Sequence, residues 1–518
     1  MRKIALLVVL IAVIGAGAYY GYSKFSNKVS DISKQQIDLA LQKLPPGWTA
    51  TYKSFDVGVA SNQAALKGVE IHGTGATKVD VAIDEVDVAG PALDLGTQWA
   101  EAAKNPAGLA PDKALPVADS FTLKGIAVHL DNQDFKIGSA QITKPHLYPW
   151  ALLHPGLISY ADVVKQLQNP PADPKPEDML PLLRWEAAIV LGIGYDAYAI
   201  DDMSGNGKVA TPGAPPTEFS YTAKKAAAGS FDHGKISSVS VDGLAIKSAP
   251  DIDATVDHVT MTGMDFHDTM MQVLNGGALD PAMLNGMALG KIEYAGITAK
   301  LPSGPPVTLS SIAFSNFAFA HSQLVSGDFS VAGLKISKAQ VTDAQVLDSF
   351  NKLGIDTLTI GFGAGYAWDF DKKLAAVKNV NVKVDELGAL TLSVDLGGVD
   401  KPETMAETAT LNHAVLHYTD ASFAGRALKM AAAESGADPA QFGQQMAGMV
   451  EMQSAALGKS PAIAAAGKAV STFLTNPHNL TIELSPPQPL PVATLENDKD
   501  LPPEQIFTKL GVKVTANQ

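Results

Sequence analysis

One eight-residue pattern, apolar–x–apolar–x–Gly–apolar–x–apolar, recurs along the chain and limits what it can fold into. Phe121, Leu123, Gly125, Ile126 and Val128 form one copy; Val239, Val241, Gly243, Leu244 and Ile246 form another. Further copies centre on Gly263, with Val259, Met261, Met264 and Phe266, and on Gly333, with Phe329, Val331, Leu334 and Ile336. Weaker copies centre on Gly68 and Gly296, and Asn316 and Asn379 take the pivot in two more. On either side of the pivot the apolar period is two, as in a strand with one buried face. Across the pivot the spacing is three, which in a regular strand sends the second half of the apolar set to the opposite face. A β-bulge, one extra residue in the ladder, restores the face and bends the strand. Bulges of this kind need φ > 0, which glycine adopts freely and asparagine tolerates. The expected fold is therefore β-rich α+β, with elongated, bulged antiparallel sheets shaped as a curved groove or as open barrel-like halves. Each sheet has one continuous apolar face.

The termini add to this. Arg2 and Lys3 precede an uncharged run, Ile4 to Tyr22, followed by Lys24 and Lys28. As a helix this run is about 28 Å long, close to the ~30 Å hydrocarbon core of a bilayer. Tyr19, Tyr20 and Tyr22 fall where an interfacial aromatic belt would sit. The rival reading is a cleaved signal peptide, with Ala16 and Ala18 at the cleavage site. The apolar run continues past that site, and a helix from Val29 to Leu44 follows directly, so a retained anchor is the reading taken. Either way the rest of the chain is exported.

The resulting domain plan is an anchor (1–28), a first β-rich region with a leading helix (29–170), a Pro-rich linker (171–182), a second β-rich region (183–400) and an Ala/Met-rich helical part with short strands (401–518). Helical insertions are expected near Thr269 to Leu274, Pro281 to Met287 and Thr342 to Leu353, and a long loop from Ser204 to Pro216. Gly192 to Tyr195 and Gly363 to Tyr366 read as a faint internal duplication.

Charge and motifs then exclude whole classes of function. The 518 residues carry a formal charge of −14 with no cluster of Lys or Arg, which rules against a nucleic-acid partner. There is no cysteine, so thiol catalysis, disulfides and Cys-based zinc sites are absent. His413 and His417 have the spacing of a helical zinc pair but lie in an alternating, strand-like stretch, which sets them about 13 Å apart. Gly458, Lys459 and Ser460 lack the upstream glycine of a phosphate loop. Asp251, Asp253 and Asp257 lack the glycine and closing glutamate of a calcium loop. Asp80 and Asp84, and Asp369 and Asp371, read as solvated carboxylates. No catalytic residue, metal ligand or cofactor is assigned, and the chain is read as a non-enzyme. Gly361, Gly363 and Gly365 share one face of a strand and leave it bare; they read either as close packing or as the floor of a groove under a ligand chain.

The Ile4–Tyr22 segment together with the pivots at Gly68, Asn316 and Gly333 resembles the AsmA-like proteins of Gram-negative bacteria, as far as about Val399. The resemblance implies an inner-membrane-anchored β-body in the periplasm with an apolar groove, linked to lipid transport or envelope homeostasis. The partners expected are the membrane, lipid acyl chains and envelope proteins. Two functions fit: shelter of lipids or other hydrophobic ligands, or a structural and assembly role in the envelope through protein partners.

Overall fold

Alternating apolar sequence becomes long antiparallel strands in the computed structural model. It describes residues 38, 41, 47–58, 61–74, 78–159, 162–163, 165–166, 176–209, 217–248, 252–277, 285–300, 304–401, 404–457, 460–495 and 501–518. The chain divides into two compact units, residues 1–292 with 319–323, and residues 293–318 with 324–518. The division falls inside the region read as 183–400. The Pro-rich stretch is not a break in the sheet either, because strands on its two sides pair with each other. Among the described residues no helix is long and apolar enough to cross a membrane. The Ile4–Tyr22 segment, with Tyr19, Tyr20 and Tyr22, lies outside the described residues, as do most of the expected helix from Val29 to Leu44 and most of the Pro281–Met287 insertion.

The first unit carries β1 (Trp48–Thr51), β2 (Ser54–Gly58), β3 (Gln63–Thr74), β4 (Lys78–Ala89), β5 (Ser120–Leu130), β6 (Gln133–Thr143), β7 (Ala197–Val209), β8 (Thr217–Ala228), β9 (Lys235–Ser248) and β10 (Ile252–Asp265). β1 and β2 both pair with β3, and from β3 to β10 each strand pairs antiparallel with the next. Helices α1 (Leu95–Lys104), α2 (Pro176–Gly192) and α3 (His267–Leu274) are inserted. α2 replaces part of the expected linker and strand. The expected loop at Ser204 is instead the second half of β7, where Gly205 lies under the rings of Tyr221 and Phe135. Neighbouring aromatics thus cover a position that has no side chain of its own.

The pivots explain the sheet. Gly68, Gly125, Gly243, Gly263, Gly296, Gly333, Asn316 and Asn379 all have φ between 53° and 67°. In the second unit the register shifts by one residue at Gly333 and at Asn379, as a bulge requires. In the first unit no extra residue is needed. Lys67 faces Glu85 and Val69 faces Ile83, so the register is the same on both sides of Gly68. The same holds at Gly125 and Gly243. Every strand slips phase at the same level, and left-handed backbone occurs in alternate strands: Gly68 in β3, Gly125 in β5, Asp202 in β7 and Gly243 in β9. At Gly125 a Cβ would stand 1.9 Å from Asp84 Oδ2, so a larger residue there would have to displace the Asp84 side chain.

Because the slips coincide, the apolar face continues across the crease. Leu66, Val86, Leu123, Ala140, Ile200, Ala226, Val241 and Val259 are cross-strand partners in turn along one side of it. Val69, Ile83, Ile126, Ile137 and Met203 run along the other. The opposite face carries the complementary row Lys67, Glu85, Lys124, Ser139, Asp201, Lys225, Asp242 and His258. Its charges largely alternate, and Lys124 Nζ lies 2.7 Å from both Glu85 and Asp87. Opposite charges placed across neighbouring strands favour this register over a slipped one.

The second unit begins with β11 (Ile292–Lys300) and β12 (Val307–Ala320). A meander follows: β13 (Gln323–Ser337), β14 (Thr357–Asp369), β15 (Leu374–Val384), β16 (Gly388–Gly397) and β17 (Thr410–Asp420). β18 (Asn479–Leu484) and β19 (Val512–Ala516) extend it. Helix α4 (Ala344–Leu353) is capped by the Asp343 carboxylate and stopped by left-handed Gly354. Helices α5 (Phe423–Ser435), α6 (Pro439–Ala456) and α7 (Pro461–Thr475) follow the Ala/Met-rich pattern, and a short helix, α8 (Pro503–Leu510), comes after them. The duplication does not hold: Gly192 ends a helix, whereas Gly363 lies mid-strand.

Candidate functional site on the apolar sheet faces

The strand period of two sorts the second unit into two unlike faces. Val331, Phe362, Val382, Leu390 and Tyr418 are successive cross-strand partners on one face. Tyr366, Val377 and Val394 form the next row but one. This face is open over β14 to β16: Phe362 and Leu390 are each 40% exposed and Val382 is 44% exposed. Toward β17 and β18 it is covered from within, because Phe473 of α7 meets the Tyr418 ring edge-on at 5.8 Å. One apolar face is thus covered by the chain's own helix toward β17 and left to solvent over β14 to β16, while Val331 at its β13 end is buried.

The first unit repeats the arrangement. Over β3 and β4 its apolar rows are sealed; Ile71 is fully buried, and Leu41, Trp48 and Phe55 pack on them. From β7 to β10 most of the same face is half-buried; Ala223 and Met264 are buried and Ile246 is exposed.

The structure places Gly361, Gly363 and Gly365 on the other face. Gly363 pairs with Ser330 and Asn381, in the polar row that continues through Thr391, His417 and Thr481. A Cβ at Gly365 would stand 2.1 Å from Asp328 Oδ1, and one at Gly363 3.0 Å from Asn381 Nδ2. Polar side chains of neighbouring strands fill the bare strip, which is the close-packing alternative. The exposed apolar row with Phe362 and Tyr366 lies on the reverse side. His413 and His417 lie on the polar face too; His413 Nε2 is 3.3 Å from Glu483, and His417 Nδ1 is 2.7 Å from the Thr481 hydroxyl. Among the described residues no group of His, Asp or Glu is placed to hold a metal ion.

A cleft of about 710 Å³ in the first unit, rimmed by charged groups over a mostly apolar lining, was not foreseen. Pro111, Asp232, His233, Lys235, Asp265 and His267 are among the residues that line it. Asp232 is its anchor. The buried Tyr148 hydroxyl donates to Asp232 Oδ1 at 2.6 Å, with His233 Nδ1 at 3.1 Å and His146 Nε2 at 3.6 Å from the same oxygen. Backbone carbonyls orient the rings: Pro111 accepts from His233 Nε2 at 3.0 Å, and His233 accepts from His267 Nδ1 at 2.9 Å. Burial alone would raise the Asp232 carboxyl, but Tyr148, His233 and His146 hold it below the ordinary range. Burial pushes the Tyr148 phenol well above its ordinary value, helped by the Asp232 hydrogen bond and the charges of Asp232 and Asp112. Lys235 lies 2.9 Å from Asp265, and despite burial this ammonium and the His267 backbone N–H hold Asp265 low.

A family model described only as an uncharacterized protein matches residues 381–517, within the second unit. No curated protein and no solved structure matches the chain.

Proposed function

We propose that this protein binds hydrophobic ligands, the acyl chains of lipids, on the open parts of its apolar sheet faces. It does so in the bacterial envelope, held at the inner membrane by the Ile4–Tyr22 segment with the β-body in the periplasm. The observation that carries this reading is the row Phe362, Val382 and Leu390, three large apolar side chains in register and each two-fifths exposed. An extended apolar patch on a soluble surface marks a place where something else sits. An acyl chain gains ~0.8 kcal/mol for each CH₂ it removes from water, so a face without a polar site suffices and no catalytic group is required. The resemblance to the AsmA-like proteins points the same way. Mass spectrometry of gently purified protein should find lipid in stoichiometric amount, and delipidated protein should take up a fluorescent fatty acid. Loss of both results refutes the reading.

A second reading, assembly of the envelope through protein partners, draws on α7. Where Phe473 covers Tyr418 the face is occupied by helix, so a helix of another protein would fit the open stretch by the same packing. Crosslinking in cells from position 382 separates the two: lipid adducts support the first, a recurrent protein adduct the second.

A further inference from the structure

The chain has three arginines, Arg2, Arg184 and Arg426, and the last two occupy similar places with opposite outcomes. Each lies by the C-terminal end of a helix that is followed by a left-handed glycine: Arg426 by α4 and Gly354, Arg184 by α3 and Gly276. Arg426 is engaged there. Its Nη1 donates to Leu353 O at 2.8 Å and to Gly354 O at 3.3 Å, and Nη2 lies 3.7 Å from Glu386. At α3 the last carbonyls are already taken, Met271 O by Asn275 Nδ2, Val273 O by the Gly276 N–H and Gln272 O by the Gly277 N–H.

Arg184 is therefore left without an acceptor. Its Nε is buried and unpaired, and among the described residues its other nitrogens bond no carboxylate, carbonyl or hydroxyl. Asp178 and Glu186 of its own helix and Asp268 of α3 are exposed and do not pair with it, and Asp162 bonds the Ser159 hydroxyl instead. A desolvated guanidinium with no counter-charge is costly, so its position calls for an anion.

The surroundings hold the group in place. Arg184 precedes the fully buried Ala187, Ala188 and Leu191 by three, four and seven positions, and so stands on the core-facing side of α2. It is half-buried and not sealed, which leaves it open to an ion. Gly276, at φ of 81°, makes room for it, because a Cβ there would collide with Arg184 Nη2. A Cβ on Gly156 would stand 3.7 Å from Arg184 Nη1 and 3.2 Å from His154 Nδ1, so guanidinium and imidazole flank one spot. The turn that carries His154 and Gly156 is tied to α2 by Trp185 Nε1, which donates to Ile158 O at 2.7 Å. Inside it the Gly156 N–H donates to His154 Nδ1, so the neutral ring carries its proton on Nε2, a second donor with no partner among the described residues.

We infer that Arg184 is an oxyanion site, which takes a carboxylate or phosphodiester group on the guanidinium fork with His154 as an added donor. The planar fork matches either group through two parallel hydrogen bonds, and one guanidinium balances one negative charge. The site stands apart from the hydrophobic-ligand reading; either holds without the other.

The test uses the full chain labelled at arginine nitrogen, in which each arginine Nε–H gives its own NMR resonance. At constant ionic strength, acetate and dimethyl phosphate should move the Arg184 resonance saturably and leave Arg426 in place, while uncharged trimethyl phosphate moves neither. A short-chain phosphatidylglycerol, added below its micellar concentration, supports a lipid headgroup as the source if it acts at a concentration at least tenfold lower, and a free anion if it does not. Dimethyl phosphate should also raise the unfolding midpoint, because it binds the folded state alone. Arg184→Lys keeps the charge but not the fork and should weaken binding at least about tenfold, so that most of this rise is lost. Arg184→Gln should unfold no earlier than the parent without the anion and show no rise, whereas Arg426→Gln should unfold earlier and keep the rise. If Arg184→Gln fails to fold, the resonance shifts of the parent decide. No saturable shift of Arg184 with any of the three anions, or a rise that survives Arg184→Gln, overturns the inference and leaves the apolar faces untouched as a binding surface.

Discussion

Placing a carboxylate in the middle of the open row, by Val382→Asp, distinguishes a working surface from an interior. Val382 sits between Phe362 and Leu390 on the neighbouring strands, all three about two-fifths exposed. Fully burying a Val, Leu or Phe side chain contributes roughly 1.5–3 kcal/mol, so covering the remaining two-fifths of each yields about 1 kcal/mol, or about 3 kcal/mol for the row. That corresponds to somewhat more than a hundredfold in affinity. An aspartate beneath the ligand removes this gain and must also be desolvated without a partner. Val382→Asp should therefore weaken binding of a fluorescent fatty acid at least about a hundredfold. Its effect on folding should be small, no more than the ~1 kcal/mol that strand preference allows, because the site is already wet. Ile71→Ala, at a fully buried position, is the internal standard and should cost about 2–5 kcal/mol by denaturant unfolding. If Val382→Asp destabilises the protein as much as Ile71→Ala, or if fatty-acid binding is unchanged, the reasoning about the open face is wrong.

Three further outcomes are expected. Gly125→Ala forces a Cβ onto left-handed backbone against Asp84 and should cost more than about 1 kcal/mol, whereas Gly425→Ala, on α5 with open space around it, should stabilise by about 0.5–1 kcal/mol; chemical denaturation reads both. Tyr148→Phe leaves the Asp232 carboxylate one donor short and should cost about 1–3 kcal/mol, with Asp232 titrating closer to an ordinary carboxylate by NMR. Burial and the 2.8 Å hydrogen bond to Asp38 raise the Tyr52 phenol from 10.0 to about 12. Its folded value exceeds its unfolded one, so its contribution is complete below pH 10 and is lost as the pH rises through about 12; a residue-resolved phenolate titration by NMR should show the Tyr52 step move earlier in Asp38→Ala while the Tyr148 and Tyr418 steps stay in place.

The strand-and-pivot grammar was readable because it depends on short-range geometry. A spacing of three inside a period of two needs a backbone irregularity, and Gly or Asn at that point names its conformation. The same rule covers Asp202, which stands between Ile200 and Met203 at that spacing with φ of 54°. How the irregularity is accommodated was not readable. One strand cannot show whether its neighbours slip with it, and that decides between a one-residue bulge, as at Gly333, and a crease shared by eight strands, as at Gly68. α2 was missed for a related reason. Its Met179 to Leu191 stretch is apolar almost throughout, and a helix with so little amphipathic contrast cannot be told from a buried strand by periodicity.

The same limit bears hardest on function. The cleft draws Asp112, His146, Tyr148, Asp232, His233 and His267 from four separate stretches of chain, each with an ordinary local reading. The glycine strip, by contrast, has its shared face legible in the sequence, but not which of two neighbours, a packed strand or a ligand chain, that face meets. Its period of two says that Gly361, Gly363 and Gly365 stand together, and equally that Phe362 and Tyr366 stand together behind them. Which face is filled depends on Asp328 and Asn381 in the adjoining strands, and so on register. Register also makes Val382 informative. Alternation alone gives Ile71 and Val382 the same environment, yet the one belongs to a core covered by Leu41 and Trp48 and the other faces solvent. Substitutions matched in chemistry and differing only in what lies above the sheet are therefore the direct measure of which parts of the apolar faces are core and which are binding surface.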